Sequence, residues 1–170
     1  MKEPKILTIE SKKFIGLHTK TSSSSSNTGS MWSDFMPRRK EVKNSLGEDL
    51  FSIQEYPDNF NMSGFSEKTE YISWAAVEVT DFDNAPAGME CHSLRGGLYA
   101  VFLHKGSTRE FSKTAQFIFE EWMPRSRYEV DNRAHFEILG EKYFGPNDPN
   151  SEEDVFIPIK LKLAGGNEPD

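Results

Sequence analysis

The sequence predicts an α+β fold in which two strand–helix–strand–strand units are related by a pseudo-twofold axis. Helices are expected to cover an antiparallel sheet, with a ligand cleft at the seam between the units. The main observation is a repeat in which short motifs recur 86 or 87 residues later, too long a period for a solenoid. Chance similarity is the alternative explanation for matches this short. The matches are His18 with His104, residues 35–38 with 122–125, and Tyr56 with Tyr143.

The first half contains four short apolar runs separated by polar, Gly- and Pro-containing segments, which is typical of strands. One helix interrupts them, starting near Ser30 or Ser33 and carrying Met31, Trp32 and Phe35 on one stripe. Pro37 fits the first turn of a late-starting helix and ends or kinks an early one. The predicted strands are 5–10, 13–19, 49–56 and 70–79.

The second half follows a predicted linker over residues 81–89 and repeats the same order of elements. Ser107 and Glu110 have the spacing of a capping box, and apolar residues at helical spacing follow until Pro124. The strands are 98–104, 134–139 and 154–163, the last of them expected to be central because it is apolar on both faces. We therefore expect one domain over residues 1–163, with half-repeats at about 1–82 and 90–163, and a disordered tail over 164–170.

Composition narrows the classes of partner. The net charge of −7 argues against a nucleic-acid partner, because such binding depends on Lys and Arg that neutralise phosphates. Aromatic residues make up 12% of the chain, which suits a hydrophobic or cationic aromatic ligand. The single cysteine, Cys91, cannot form an internal disulfide, and the sequence has no apolar run long enough to span a membrane. A cytoplasmic protein without a membrane partner is expected.

The sequence offers little support for a metal, a cofactor or covalent catalysis. The four histidines are scattered and lack the spacing of metal ligands. The Gly96-Gly97 pair lacks the pattern that holds nucleotide phosphates, and no serine lies in a nucleophile elbow. We expect neither a metal nor a cofactor.

Glu137 is the residue that points most directly to a site. It lies between Phe136 and Ile138 in a predicted strand, so one face of that strand is expected to point inward. A carboxylate on that face needs a donor, a cation or a raised pKa. The alternative is that Glu137 faces solvent or pairs with Arg133, Lys142 or a lysine of another strand.

Three large aromatic residues are candidates for the walls of a cleft around that carboxylate. Trp74, Tyr99 and Trp122 occur in or beside predicted elements of both halves. Residues of this kind more often belong to a core. Near an inward carboxylate, however, they would suit a flat lipophilic cation.

Four segments resemble a known family, the gyrase-inhibitor-like small-molecule-binding domain, which is also the effector-binding domain of certain AraC-type and MerR-type regulators. The resemblance spans nearly the whole chain and agrees with the repeat, because that family has two strand–helix–strand–strand units about a pseudo-twofold axis. The segments are GGLYAVFLHKG (96–106), FIFEEWMPRS (117–126), HFEILGEKY (135–143) and EEDVFIPIK (152–160).

The resemblance implies that Glu137 is the central glutamate that meets ligands and that Trp74, Tyr99 and Trp122 are pocket walls. Tyr143, in the same motif as Glu137, completes the candidate ligand-binding set. No helix-turn-helix accompanies these motifs, so the expected function is a stand-alone sensor or scavenger of hydrophobic or cationic compounds. The first alternative is a hydrolase of electrophilic cyclopropane-containing genotoxins, with Glu137 as the catalytic residue that assists water attack. The second is an inhibitor or adaptor that binds another protein.

Overall fold

The structure is a computed structural model that describes residues 2–163. The expected disordered tail over 164–170 therefore lies outside the described residues. The strands are β1 (Lys5–Ile9), β2 (Lys12–Thr21), β3 (Leu50–Glu55), β4 (Tyr71–Val79), β5 (Glu90–Leu94), β6 (Gly97–Lys105), β7 (Tyr128–Val130), β8 (His135–Leu139) and β9 (Glu152–Leu161).

Two helical segments accompany the strands, one in each half. Helix α1 (Thr28–Phe35) continues as a 3-10 helix over Met36–Glu41. Helix α2 begins at Phe111–Gln116, passes through π-helical geometry over Phe117–Trp122 and ends in a last turn, Met123–Arg125. Short 3-10 turns lie at Met62–Gly64 and Thr108–Glu110.

The strands form one antiparallel sheet in the order β1-β6-β9-β8-β3-β4-β2-β5, with β7 paired to β9. The predicted α+β class is confirmed. Outward from the contact between β3 and β8, the first half runs β3, β4, β2 and the second runs β8, β9, β6. Two strand–helix–strand–strand units would produce this order, while the twofold axis itself stays a prediction.

Three local features differ from the sequence-based expectations. Strands β5 and β7 were not predicted, because β5 is an edge strand whose only buried side chain is Leu94, and β7 has three residues of which none is fully buried. The capping box does not form, since the 3-10 turn joins the Glu110 amide to the Ser107 carbonyl (3.1 Å) and the Ser107 side chain makes no cap. Helix α2 ends at Arg125, one residue past Pro124, which lies in its last turn.

The two faces of the sheet bury different cores. Helix α1 covers a cluster that includes Ile15 and Val77, and α2 covers one that includes Phe102 and Ile157. The other face has no helix, and its core is built around Phe136, which stacks on Phe156 at 4.4 Å. The sheet curls over this core, so that Gly96, which follows β5, donates its amide hydrogen to the Ser11 hydroxyl (3.2 Å) between β1 and β2.

Gly16 marks a close approach between β2 and β4. A Cβ atom added there would lie 2.0 Å from the Ala75 carbonyl oxygen, which is backbone and cannot move aside. We expect Gly16→Ala to lower the free energy of unfolding by about 1–3 kcal/mol or more in urea denaturation. The control is Gly29→Ala in α1, where a Cβ meets nothing within 4 Å and should stabilise by up to about 1 kcal/mol. Equal effects at both sites would contradict this packing.

Candidate functional site

A long cleft of about 2470 Å³ lies on the helix-covered side of the sheet. Strands β3, β4, β8 and β9 form its floor, and α1 and α2 stand on either side. The two helices pack against the outer parts of the sheet, so the central strands between them stay uncovered. The cleft therefore lies where β3 of the first half pairs with β8 of the second.

Glu137 lies on the floor of this cleft, in the middle of β8. It pairs with Ser52 of β3, and the Gln54 amide donates a hydrogen bond to its Oε2 atom at 2.8 Å. The same amide nitrogen donates to the Ser52 hydroxyl at 3.2 Å. Burial, together with the nearby Glu153 carboxyl, raises the pKa of Glu137 to about 8, and the Gln54 hydrogen bond offsets only part of this. The carboxyl is therefore mostly protonated at neutral pH.

Glu153 is a second carboxyl group on the same floor, one strand away in β9. Burial raises its pKa to about 7. Among residues 2–163, neither Glu137 nor Glu153 takes part in an ion pair with a basic side chain. The two floor carboxyls thus lack an ion-pair partner, although basic side chains also line the cleft: Arg39, Arg109, Lys160 and Lys162.

Aromatic side chains form the wall at the β3–β4 end of the cleft. Tyr56 is at their centre, stacked on Phe60 at 5.7 Å and tilted against Tyr71 at 5.3 Å. Phe65 meets the Tyr56 ring edge to face at 6.1 Å. Burial and the nearby Glu137 charge both raise the pKa of Tyr71, so the phenols stay neutral and can stack on a ligand or donate hydrogen bonds to it.

His135 closes this wall from the β8 side. Its ring meets Tyr56 edge to face at 4.9 Å, and Phe119 of α2 lies 6.4 Å away. Burial, with a further contribution from the Arg133 charge, lowers the pKa of His135 to about 3. The imidazole is therefore neutral and adds no positive charge to the floor.

The sequence-predicted residues divide between the two faces of the sheet. Glu137 and Tyr143 both line the cleft. Trp74 and Tyr99 do not, because strand alternation turns them toward the helix-free face, where they are 5% and 0% exposed. Trp122 is packed under α2 against Phe102, 5.3 Å between ring centres, and is not among the residues that line the cleft.

Each of the three misplaced aromatic residues has a structural partner. The Trp74 indole lies between the rings of His18 (4.5 Å) and His92 (5.0 Å). The Tyr99 hydroxyl donates a hydrogen bond to the Ala134 carbonyl at 2.8 Å. The expectation that Trp74, Tyr99 and Trp122 form cleft walls is therefore corrected, and we leave them out of the proposed site.

Sequence reasoning missed most of the aromatic wall, although two signals pointed to it. Tyr56 occupies the position that repeats as Tyr143, so the internal repeat already connected two cleft residues. Alternation along β4 places Tyr71 and Ser73 on one face and Trp74 on the other. No comparable signal marked Phe60 and Phe65, which lie in the connection between β3 and β4.

The described part of the chain gives no geometry for a metal centre, since no three His, Cys, Asp or Glu side chains in 2–163 come together as ligands. Within the same range, no helix combines the length and apolar character needed to cross a membrane. The cleft can therefore offer aromatic faces, neutral hydrogen-bonding groups and two carboxyls that become charged when a cation compensates them.

The sequence is similar to a known domain family and to a known regulator. The model of the GyrI-like small molecule binding domain matches residues 2–160. The transcriptional regulator BrlR of Pseudomonas aeruginosa is 26% identical over 145 residues, which is 85% of this chain and 51% of that protein. The chain thus spans about half the length of this regulator.

Solved structures share the fold at low sequence identity. The structure of SAV2435 bound to tetraphenylphosphonium superposes with a TM-score of 0.68 at 11% identity, covering 94% of each chain. A hydrolase from Listeria innocua superposes with a TM-score of 0.58 at 10% identity, covering 93% of this chain and 92% of the other. At such identities the likeness concerns the fold.

Proposed function

The chain belongs to the family of GyrI-like small molecule binding domains, and we propose that its cleft binds a hydrophobic aromatic cation whose positive charge is balanced by Glu137. One observation carries this proposal: a half-buried carboxyl, without a basic partner among the described residues, lies on the floor of an aromatic-lined cleft. A charge in such a place is costly unless it is paired. A ligand cation would supply the missing partner.

The aromatic wall supplies the second part of the recognition. Tyr56, Phe60 and Tyr71 lie close to the Glu137 end of the cleft, and the Tyr56 and Phe60 rings are already stacked. A cation over an aromatic face gains roughly 0.5–2 kcal/mol, more when water is excluded. Large delocalised cations therefore fit better than a small, strongly hydrated ammonium ion.

The relatives support this proposal from outside the chain. SAV2435 shares the fold and was solved with tetraphenylphosphonium, a cation with four phenyl rings. BrlR is a transcriptional regulator of which this chain spans about half. We propose a sensor or scavenger role for the domain, with ligand binding as its activity.

Tetraphenylphosphonium is a suitable probe because its positive charge does not depend on pH. We expect isothermal titration calorimetry at about pH 8 to show binding, weakened about tenfold or more in Glu137→Gln, which keeps the shape but cannot become charged. The matched control is Glu141→Gln, which removes a carboxylate from the exposed rim of the same cleft and should change the affinity less than twofold. Equal losses in the two variants would contradict a specific role for Glu137.

A hydrolase is the second candidate function, favoured by the raised pKa of Glu137 near the range where general bases operate. The ionised carboxylate would take a proton from water as the water oxygen bonds to a strained ring carbon. The ring C–C bond then breaks, and its electron pair passes into the conjugated carbonyl of the substrate. The resulting enolate takes the proton back from Glu137, which gives the water adduct and restores the carboxylate. Mass spectrometry after incubation with a cyclopropane-containing electrophile separates the candidates, because an enzyme forms the water adduct with turnover whereas a binding domain returns the compound unchanged.

A further inference from the structure

Glu153 is a cleft carboxyl that the proposed function does not use. It is half-buried in β9, lines the same cleft as Glu137 and lacks an ion-pair partner among residues 2–163. The neighbouring Glu152 is different, because Lys142 lies 3.8 Å from it. Glu153 is therefore a second cleft carboxyl without an ion-pair partner, and the proposed function does not account for it.

The register of the strands fixes the relation between the two carboxyls. Glu137 of β8 pairs with Val155 of β9, so Glu153 is its diagonal neighbour on the same face of the sheet. Diagonal neighbours on adjacent antiparallel strands lie about 7–8 Å apart. The two residues are thus close enough for one ligand to span both carboxyls.

Among residues 2–163, no Lys or Arg side chain forms an ion pair with either carboxyl. Glu137 faces Gln54 of β3, Tyr56, and Tyr71 of β4. Glu153 faces Tyr143 and pairs with His104 of β6. Hydrogen bonds occupy both ring nitrogens of His104: Nδ1 lies 2.6 Å from the Thr114 hydroxyl and Nε2 lies 3.1 Å from the Ser107 carbonyl.

We propose that the cleft prefers dications, with one positive centre against Glu137 and the second against Glu153. This inference rests on the proposed function, since it assigns a ligand class to the same cleft. An aromatic or otherwise rigid spacer between the two centres would match the diagonal spacing and lie along the floor over Val155. Each carboxyl would release its proton when a positive centre of the ligand binds beside it. Each positive charge of the ligand is then balanced by one carboxylate.

Two ligands that differ in one cationic group provide the test. The probes are p-xylylenebis(triphenylphosphonium), a dication, and benzyltriphenylphosphonium, its monocation counterpart. Calorimetry at about pH 6, in two buffers of different ionisation enthalpy, measures both affinity and proton release. We expect the dication to bind at least tenfold more tightly and to release close to two protons, against one for the monocation.

The variant Glu153→Gln is expected to bring the dication affinity to within about threefold of the monocation affinity. A melting curve checks that the variant is folded, and Glu141→Gln serves as the charge-matched control at the cleft rim. If the monocation binds and the dication gains nothing, or if Glu153→Gln weakens both probes equally, the preference for dications is overturned and the proposed function stands. If neither probe binds, both are overturned.

Discussion

The free energy of unfolding of this protein is expected to fall as the pH rises from about 5 to 9, and Glu137→Gln should remove much of that fall. Burial raises the pKa of Glu137 from its ordinary value of 4.5 to about 8. Between these values the folded protein holds a proton that the unfolded chain releases, so stability decreases with rising pH. A change of that size corresponds to at most about 5 kcal/mol, and we expect about half because the cleft is open to water.

Urea denaturation at several pH values measures this effect. At about pH 5 the carboxyl is protonated in the folded protein, and Glu137→Gln should match the parent protein within about 0.5 kcal/mol. At pH 9 the variant should be more stable by about 2–3 kcal/mol. Glu153→Gln should show a smaller gain of the same sign, because burial raises its pKa less, to about 7. If Glu137→Gln has the same stability profile as the parent protein, Glu137 is not held in a poorly solvated place.

A higher stability of Glu137→Gln at pH 9 would mean that the Glu137 carboxyl on the cleft floor lowers the free energy of unfolding. Replacing a buried acid by a neutral group of the same shape usually stabilises a fold when no partner balances the acid. The Gln54 amide donates hydrogen bonds to Glu137 and to the Ser52 hydroxyl, but neither Gln54 nor Ser52 carries a compensating charge. A cationic ligand would restore the lost free energy on binding, which connects the stability of the fold to the occupancy of the cleft.

The elements of the fold were largely predictable because each follows from a local pattern. Strand β4 alternates so that Tyr71, Ser73 and Ala75 share one face, and β9, with apolar residues at both parities, lies between β6 and β8. Edge elements such as β5 escaped prediction because a strand that buries one side chain leaves almost no pattern. The π-helical stretch in α2 likewise depends on packing that the apolar spacing does not record.

The sequence singled out an individual candidate residue of the site, but it did not show which side chains the fold brings together. Glu137 stood out because it is a carboxyl between two apolar neighbours in a predicted strand, although the sequence left open whether it points inward or faces solvent. Trp74 and Tyr99 also lie in predicted strands with apolar neighbours. The sequence does not show which face of the sheet they occupy, because that depends on how the strands pair. Trp74 pairs with Ile53, whereas Glu137 pairs with Ser52, so adjacent positions of β3 separate the two faces.

The affinity for tetraphenylphosphonium is expected to rise roughly fiftyfold between pH 6 and pH 8, because only the ionised form of Glu137 attracts the cation and its ionised fraction rises by about that factor. Burial and the neighbouring Glu153 set this range by raising the pKa of Glu137 to about 8. Calorimetry at half-unit pH steps gives the profile directly, since the charge of the probe is fixed.

Two controls separate this effect from a general change in the protein. Glu137→Gln should give a nearly flat profile, at an affinity below that of the parent protein even at pH 6. Triphenylphosphine oxide, a neutral compound with three phenyl rings on phosphorus, should bind with little dependence on pH, because stacking on Tyr56 and Tyr71 requires no carboxylate. A cation affinity that stays constant from pH 6 to pH 8 would show that the ligand is held by the aromatic wall alone, and Glu137 would then have no part in the recognition.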